Sequence, residues 1–163
     1  MTNLIVETAL TAMQLQQLLM EFAHELDFNS GLKVGELYTE DGTFILRDSV
    51  YRGRRAIIKF YKDYAARVIA EEKDGVRTQR HSFVNIRASV EDSNHATLHF
   101  ISLNYSAGGK VPVPNLTGPR TLIDCYMKCR RGTDGRWRIA EFSNKRIFFN
   151  DVEIPGQCGA RAS

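Results

Sequence analysis

Proton-transfer chemistry near neutral pH points first to histidine, and this chain has four: His24, His81, His95 and His99. His24 projects from a helical stretch opposite its apolar face, which suits solvent or a subunit contact. His95 sits in a turn. His81 opens a long strand candidate, while His99, Tyr105 and Asp124 fall on later strands from which they could line a cavity. Asp27 ends the first helix at the margin of its apolar face, on a line with Met13 and Met20. Its alternative use is to hydrogen-bond the turn that follows. Arg146, near the end of the last strand, could hold a carboxylate, a carbonyl or a leaving oxygen as a fixed cation. Tyr61 and Tyr64 could supply hydroxyls or pack as core and rim. Neither a metal-ligand cluster nor a glycine-rich phosphate loop is visible, so no metal and no cofactor are expected.

These side chains need elements to position them. The chain has 163 residues, 43% hydrophobic and 25% charged, an ordinary composition for one globular domain. Lys and Arg exceed Asp and Glu by three and are scattered, which gives no reason to expect a nucleic-acid partner. No apolar run approaches the ~20 residues that span a bilayer, so no membrane partner is expected either. The N-terminus lacks the pattern of a secretory signal, and the three cysteines form no CxxC pair. Cys125 and Cys129 would stand roughly 13 Å apart on a strand, too far for a bridge, and a reducing cytoplasm is the expected setting. The sequon Asn115-Leu116-Thr117 would need a secretory route.

Leu15, Leu18, Leu19, Phe22 and Leu26 share one helical face, and Thr11 with Gln14 reads as a capping box, predicting a helix over 12–27. A shorter helix is predicted over 31–38, a turn at Asp41-Gly42, strands at 43–46 and 50–52, and a helix carrying Ile57, Ile58, Tyr61, Tyr64, Ala65 and Val68. From residue 76 the period becomes two. Strands are predicted at 77–91, 96–105, 120–131 and 136–149, with turns at Asp92-Ser93-Asn94 and Gly132 to Gly135 and a Gly- and Pro-rich loop at 106–119. Helices followed by long antiparallel strands make an α+β pattern. A curved sheet wrapped on the N-terminal helix would leave a conical cavity, a usual place for a ligand. His81 poses a problem of parity. Val84, Ile86, Ala88 and Val90 share the apolar face of its strand, and strict alternation aims His81 away from them, unless the other face lines the cavity or a bulge re-aims it.

The stretches FAHELDFNSG (22–31), LYTEDGTFIL (37–46), YRGRRAIIKF (51–60), RHSFVNIRASVEDSNHAT (80–97) and DGRWRIAEFSNKRIFF (134–149) together resemble the SnoaL-like branch of the nuclear transport factor 2-like superfamily. The resemblance covers about residues 8–150. It implies a cystatin-like α+β barrel, with a cone-shaped, curved, mixed or antiparallel sheet wrapped around N-terminal helices. One domain over 1–150 and a loosely ordered tail over 151–163 are expected. Dehydratases of this superfamily share an aspartate ending the first helix and a histidine opening the first long strand, which match Asp27 and His81. Asn85 closes an H-x-x-x-N stretch begun by His81, and an arginine on the last strand matches Arg146. Phe22 stands where the dehydratases have a tyrosine, and their second histidine has no secure counterpart, although His99 lies nearby.

The resemblance implies a cofactor-free lyase acting by dehydratase-like elimination on a small apolar cyclic or aromatic substrate. Asp27, His81 and Arg146 would be catalytic, with Phe22, Tyr61, Tyr64, Asn85, His99 and Asp124 around the substrate. An isomerase or polyketide-type cyclase using the same pocket is a rival, as is a non-catalytic small-molecule-binding protein. A homo-oligomer, dimer or trimer, is expected, because strands such as 96–105 carry apolar residues on both parities.

Overall fold

The computed structural model describes residues 2–114 and 118–150. The sequon, Cys158 and the expected tail at 151–163 lie outside the described residues. Helix α1 (Thr2–Asn29) is followed by a single 3-10 turn (Val34–Leu37), strands β1 (Tyr38–Leu46) and β2 (Ser49–Arg52), and helix α2 (Arg54–Glu71). Four long strands complete the chain: β3 (Arg77–Val90), β4 (His95–Gly108), β5 (Thr121–Arg131) and β6 (Trp137–Phe149). They form one six-stranded sheet in the order β2-β1-β6-β5-β4-β3, antiparallel throughout except that β1 runs parallel to β6. The sheet is curved and mixed, with α1 and α2 packed on its inner face. It does not close: β2 and β3 remain its edges.

Three boundaries differ from the sequence reading. α1 begins at Thr2, so Thr11 and Gln14 lie inside it rather than at its start. No glycine or proline interrupts the chain before Gly31, and an established helix extends by one hydrogen bond per residue with nothing to stop it. The helix expected at 31–38 is only the 3-10 turn. Gly35 there lies so close to α2 that a Cβ would approach Ile58 to 2.5 Å, and Val34 and Tyr38 are fully buried. β1 begins at Tyr38, with Asp41-Gly42 inside it where its register to β6 shifts.

The register decides which side chains face inward. Ala96, Leu98, Phe100 and Ser102 on β4 are buried, opposite the buried Cys129, Met127 and Cys125 on β5 and, at Ser102, the half-buried Ile123. β6 continues these rows with Ile139, Phe142, Asn144 and Arg146. The α1 face of Leu15, Leu18, Leu19 and Phe22 closes the core from the other side. Phe22 meets Phe142 edge-on at 5.2 Å between ring centroids, and Phe44 stacks on Phe142 at 5.8 Å.

Candidate active site

The end of α1 is fixed to β3 by three contacts. The Gln79 side-chain amide donates to the Leu26 carbonyl at 2.7 Å, and Arg80 donates to the Asp27 carbonyl at 3.4 Å. The Arg80 guanidinium also lies 4.2 Å over the Phe28 ring. Side chains from the strand thus satisfy carbonyls that a helix end leaves without a partner. After Asn29 the chain turns through left-handed Ser30 and Gly31, whose N–H returns to the Glu25 carbonyl at 3.0 Å. A Cβ on Gly31 would fall 2.3 Å from the Tyr61 ring. Asp27 is therefore presented from a helix terminus held on two sides.

His81 reaches Asp27 because β3 is bulged. From the hairpin turn, Val90 pairs with Ala96 and Arg87 with His99, but Val84 pairs with Ile101. Asn85 and Ile86 together oppose Phe100, and Asn85 has a left-handed φ of 54°. One extra residue reverses the alternation. Ile86, Ala88 and Val90 face inward beyond the bulge, and His81 and Phe83 face inward before it, while Val84 is exposed. The parity conflict in the sequence is thereby removed. Without the bulge, continuing the register from Val90 would set His81 across from Tyr105; with it, His81 is directly across from Asn104.

His81 Nδ1–H donates to Asp27 Oδ1 at 2.6 Å, and the His81 backbone N–H donates to Oδ2 at 2.9 Å. Both carboxylate oxygens are engaged by one residue, which fixes the imidazole plane. The side chains are 15% and 6% exposed for His81 and Asp27, so water competes little for the contact. A carboxylate only accepts, which places a ring hydrogen on Nδ1, and in the neutral ring the lone pair is then on Nε2. Asn104 Nδ2 stands 3.0 Å from Nε2 and donates to it. This arrangement can take a proton at Nε2 and stabilise the resulting imidazolium. Asn104 carries no signal of its own in the sequence, since only the bulged register brings it opposite His81.

The remaining candidates divide between the two faces. Arg146 lies on the inner face opposite Ile123, with its guanidinium 4.8 Å over the Phe149 ring. Phe149 shares a row with His81, Asn104 and Thr121, and Arg146 lies one row deeper. Arg146 is brought to the same face as the dyad, three strands away, but not into contact with it. Phe22 and Tyr61 are buried, and burial pushes the Tyr61 phenol well above its ordinary range. The Tyr64 hydroxyl accepts from Arg77 at 3.0 Å, and Arg77 also pairs with Glu72 at 3.5 Å. Three expectations are corrected. His99 and Asp124 do not line the inner face. They point outward, and His99 stacks on Tyr126 at 4.3 Å. The inward parity of β4 belongs to its even residues, so His99 shares the outer face with Ile101 and Leu103. Asn85 does not line it either: it is exposed and serves as the bulge.

Cys125 and Cys129 are free and buried, and burial pushes both thiols up to about 12, which leaves them unreactive near neutral pH. Among the described residues, no three His, Cys, Asp or Glu side chains converge on a possible metal position. No helix among them is long and apolar enough to cross a membrane. A surface depression lined by Glu21, His24, Glu25, Lys33, Glu36 and Leu37 includes neither dyad residue.

The profile of the SnoaL-like domain matches residues 7–143. No curated protein matches the chain in sequence. Among solved structures, a protein from Catenulispora acidiphila solved in complex with S-DNPA is 23% identical, with 85% of this chain and 94% of that one covered and a TM-score of 0.66. ActVI-ORFA from Streptomyces coelicolor is 16% identical over 82% and 94% of the two chains, with a TM-score of 0.66. An NTF2-like protein with a cystatin-like fold from Novosphingobium aromaticivorans is 19% identical over 96% and 94%, with a TM-score of 0.68. These likenesses, all below 25% identity, concern the fold.

Proposed function

The chain belongs to the SnoaL-like domain family, and from that premise we propose that it is a cytoplasmic, cofactor-free lyase performing a dehydratase-like elimination. Its substrate is a small apolar cyclic or aromatic molecule. The observation that carries this reading is the contact between Asp27 and His81 on the inner face of the sheet. A fold of this kind hosts many chemistries, so the site rather than the fold supplies the argument. His81 Nε2 takes a proton from a ring carbon, and the electron pair forms the new double bond. The leaving hydroxyl departs as water with the proton that Nε2–H returns. Asp27 holds Nδ1–H throughout and balances the imidazolium charge. Arg146 offers a cation on the same face for oxyanion charge that develops on the substrate. Phe83 beside His81 meets Phe100, which continues into an aromatic core through Phe142 and Phe22, and the S-DNPA complex of the Catenulispora protein supports a ligand on this fold.

The test is incubation of the protein with a panel of cyclic β-hydroxy ketones in heavy water, without added cofactor, followed by proton NMR. Loss of water to give an alkene is expected. Exchange of the acidic ring proton without loss of water would favour the isomerase or cyclase reading. Two observations speak for a binding protein instead: Phe22 offers no hydroxyl, and Asn104 occupies Nε2. Saturable binding with neither exchange nor elimination across the panel would decide for that reading.

We also propose that the protein is a homo-oligomer. Val84, Tyr126 and Phe148 are exposed on the outer face of the sheet, beside the partly exposed Ile101 and Leu103. Sedimentation at micromolar concentration should give a species of at least twice the 18.5 kDa chain mass. A single species at the chain mass would remove the proposal.

A further inference from the structure

We propose that Asn104 is a two-way partner of the proton-transfer nitrogen. Its amide N–H holds the Nε2 lone pair in the resting site, and its carbonyl receives Nε2–H once that nitrogen has gained a proton. The assignment deepens the elimination reading and rests on it for its use, although its geometry is testable without turnover.

The argument begins with the two ends of the imidazole. Asp27 fixes Nδ1, and its two oxygens are both committed to His81. Everything that changes during proton transfer must therefore change at Nε2, and the described side chain hydrogen-bonded there is Asn104 at 3.0 Å. The two residues are directly paired across β3 and β4 on one face, so their backbones keep them together. An amide N–H can donate to a bare Nε2 but not to Nε2–H. After protonation, two hydrogens would face each other unless the amide turned its oxygen inward. Carboxamides can do both, because they carry a donor and an acceptor on one carbon. A carboxylate would serve only the protonated ring, and an aliphatic side chain neither state. No proton passes to or from Asn104. It changes orientation while the proton moves between the substrate carbon, Nε2 and the departing hydroxyl.

This also restricts the substrate. To reach Nε2, a substrate must displace an amide N–H, which then needs another acceptor. The molecule that fits carries a carbonyl or hydroxyl oxygen next to its acidic C–H. A plain aromatic hydrocarbon would displace the amide and return nothing.

The experiment is long-range proton–nitrogen correlation NMR on ¹⁵N-labelled, ligand-free protein near neutral pH. In the native chain, the His81 signals should show a protonated Nδ1 and a bare Nε2 shifted from the free imine position by its hydrogen bond. Asn104→Leu should move the Nε2 signal to the free imine position and leave Nδ1 unchanged. Asn104→Asp should instead give a ring protonated on both nitrogens under the same conditions. His24 and His95, both exposed, report whether each variant is folded. If Asn104→Leu disturbs them, Asn104→Ser, with its shorter side chain, reads the same shift. A native spectrum with hydrogen on Nε2 and none on Nδ1 would overturn the proposal. So would an Nε2 signal that does not respond to substitution of Asn104. Failure of the β-hydroxy ketone panel with these spectra intact would overturn the lyase reading alone.

Discussion

His81→Ala is expected to lower turnover by ~10²–10⁴, the range for a lost general base, equivalent to ~3–5 kcal/mol of barrier. The side chain it removes carries the one nitrogen placed to take the proton. Asp27→Asn should cost a comparable factor, because both Asp27 oxygens accept from His81 and an amide retains only one acceptor. The displaced donor then faces an NH₂ group, and the ring loses both its orientation and the charge that balances an imidazolium. The double variant should be little worse than His81→Ala alone, since residues acting as a unit lose activity only once. Each variant should stay folded: the site borders the core formed by Leu15, Leu19, Phe100 and Met127 without being part of it. Steady-state rates on the substrate found with the ketone panel, with circular dichroism as the folding control, make the measurement. Retained turnover in folded His81→Ala would falsify the base assignment. Multiplicative losses would mean that the two residues contribute separately.

Inserting one alanine between Ser82 and Phe83 should be as damaging to turnover, although it replaces neither Asp27 nor His81. The bulge lets the inward residues change from Ile86 to Phe83 and His81, and one further residue between the bulge and His81 reverses the alternation again, so that one half of β3 must invert. The hairpin end is pinned. Asp92 Oδ1 accepts from the N–H groups of Asn94 and His95 at 2.7 and 2.8 Å, and Glu91 N–H donates to the His95 carbonyl at 3.0 Å. The half that inverts is therefore the one carrying His81, which would exchange places with Ser82. Asn85→Gly should keep turnover within a few-fold, since glycine adopts the left-handed backbone without cost. Asn85→Val should lose about 1–2 kcal/mol of stability, because a branched side chain opposes that conformation. Undiminished turnover with the insertion would show that the register of β3 does not aim His81.

The same bulge marks the limit of what the residue pattern reveals. Period-two alternation locates all four long strands to within about three residues, because each buries one face in the core and the turns between them carry Gly, Asn and Asp. It cannot locate an inserted residue whose type is common in turns but which here lies in mid-strand. Asn85 reads as one more polar position, so the face of His81 and the identity of its partner both stay hidden. His99 was misplaced for a related reason. With Leu98 and Phe100 on one parity and Ile101 and Leu103 on the other, β4 is apolar on both sides and does not declare which is inner. Asp27 is legible because a helix has one continuous apolar face, and the first stop in the chain, Asn29-Ser30-Gly31, follows directly. The start of the same helix is not, because its first ten residues contain no stop.

Chain connectivity gives the parallel pairing of β1 with β6 a consequence for the order of assembly. β3 to β6 form a meander whose neighbours are adjacent in sequence, so each hairpin closes a short loop. Phe44 and Phe142, paired between β1 and β6, close a loop of nearly a hundred residues, and the entropy of that closure is met only when the faces they join already exist. His81 and Asn104 belong to the meander, whereas Asp27 arrives with the N-terminal segment, 54 residues before His81. A partly folded chain can therefore hold the imidazole and the amide in register before the carboxylate has docked. Proton transfer through the complete dyad is a property of the finished topology, because the meander carries the imidazole and the N-terminal segment carries the charge that completes it.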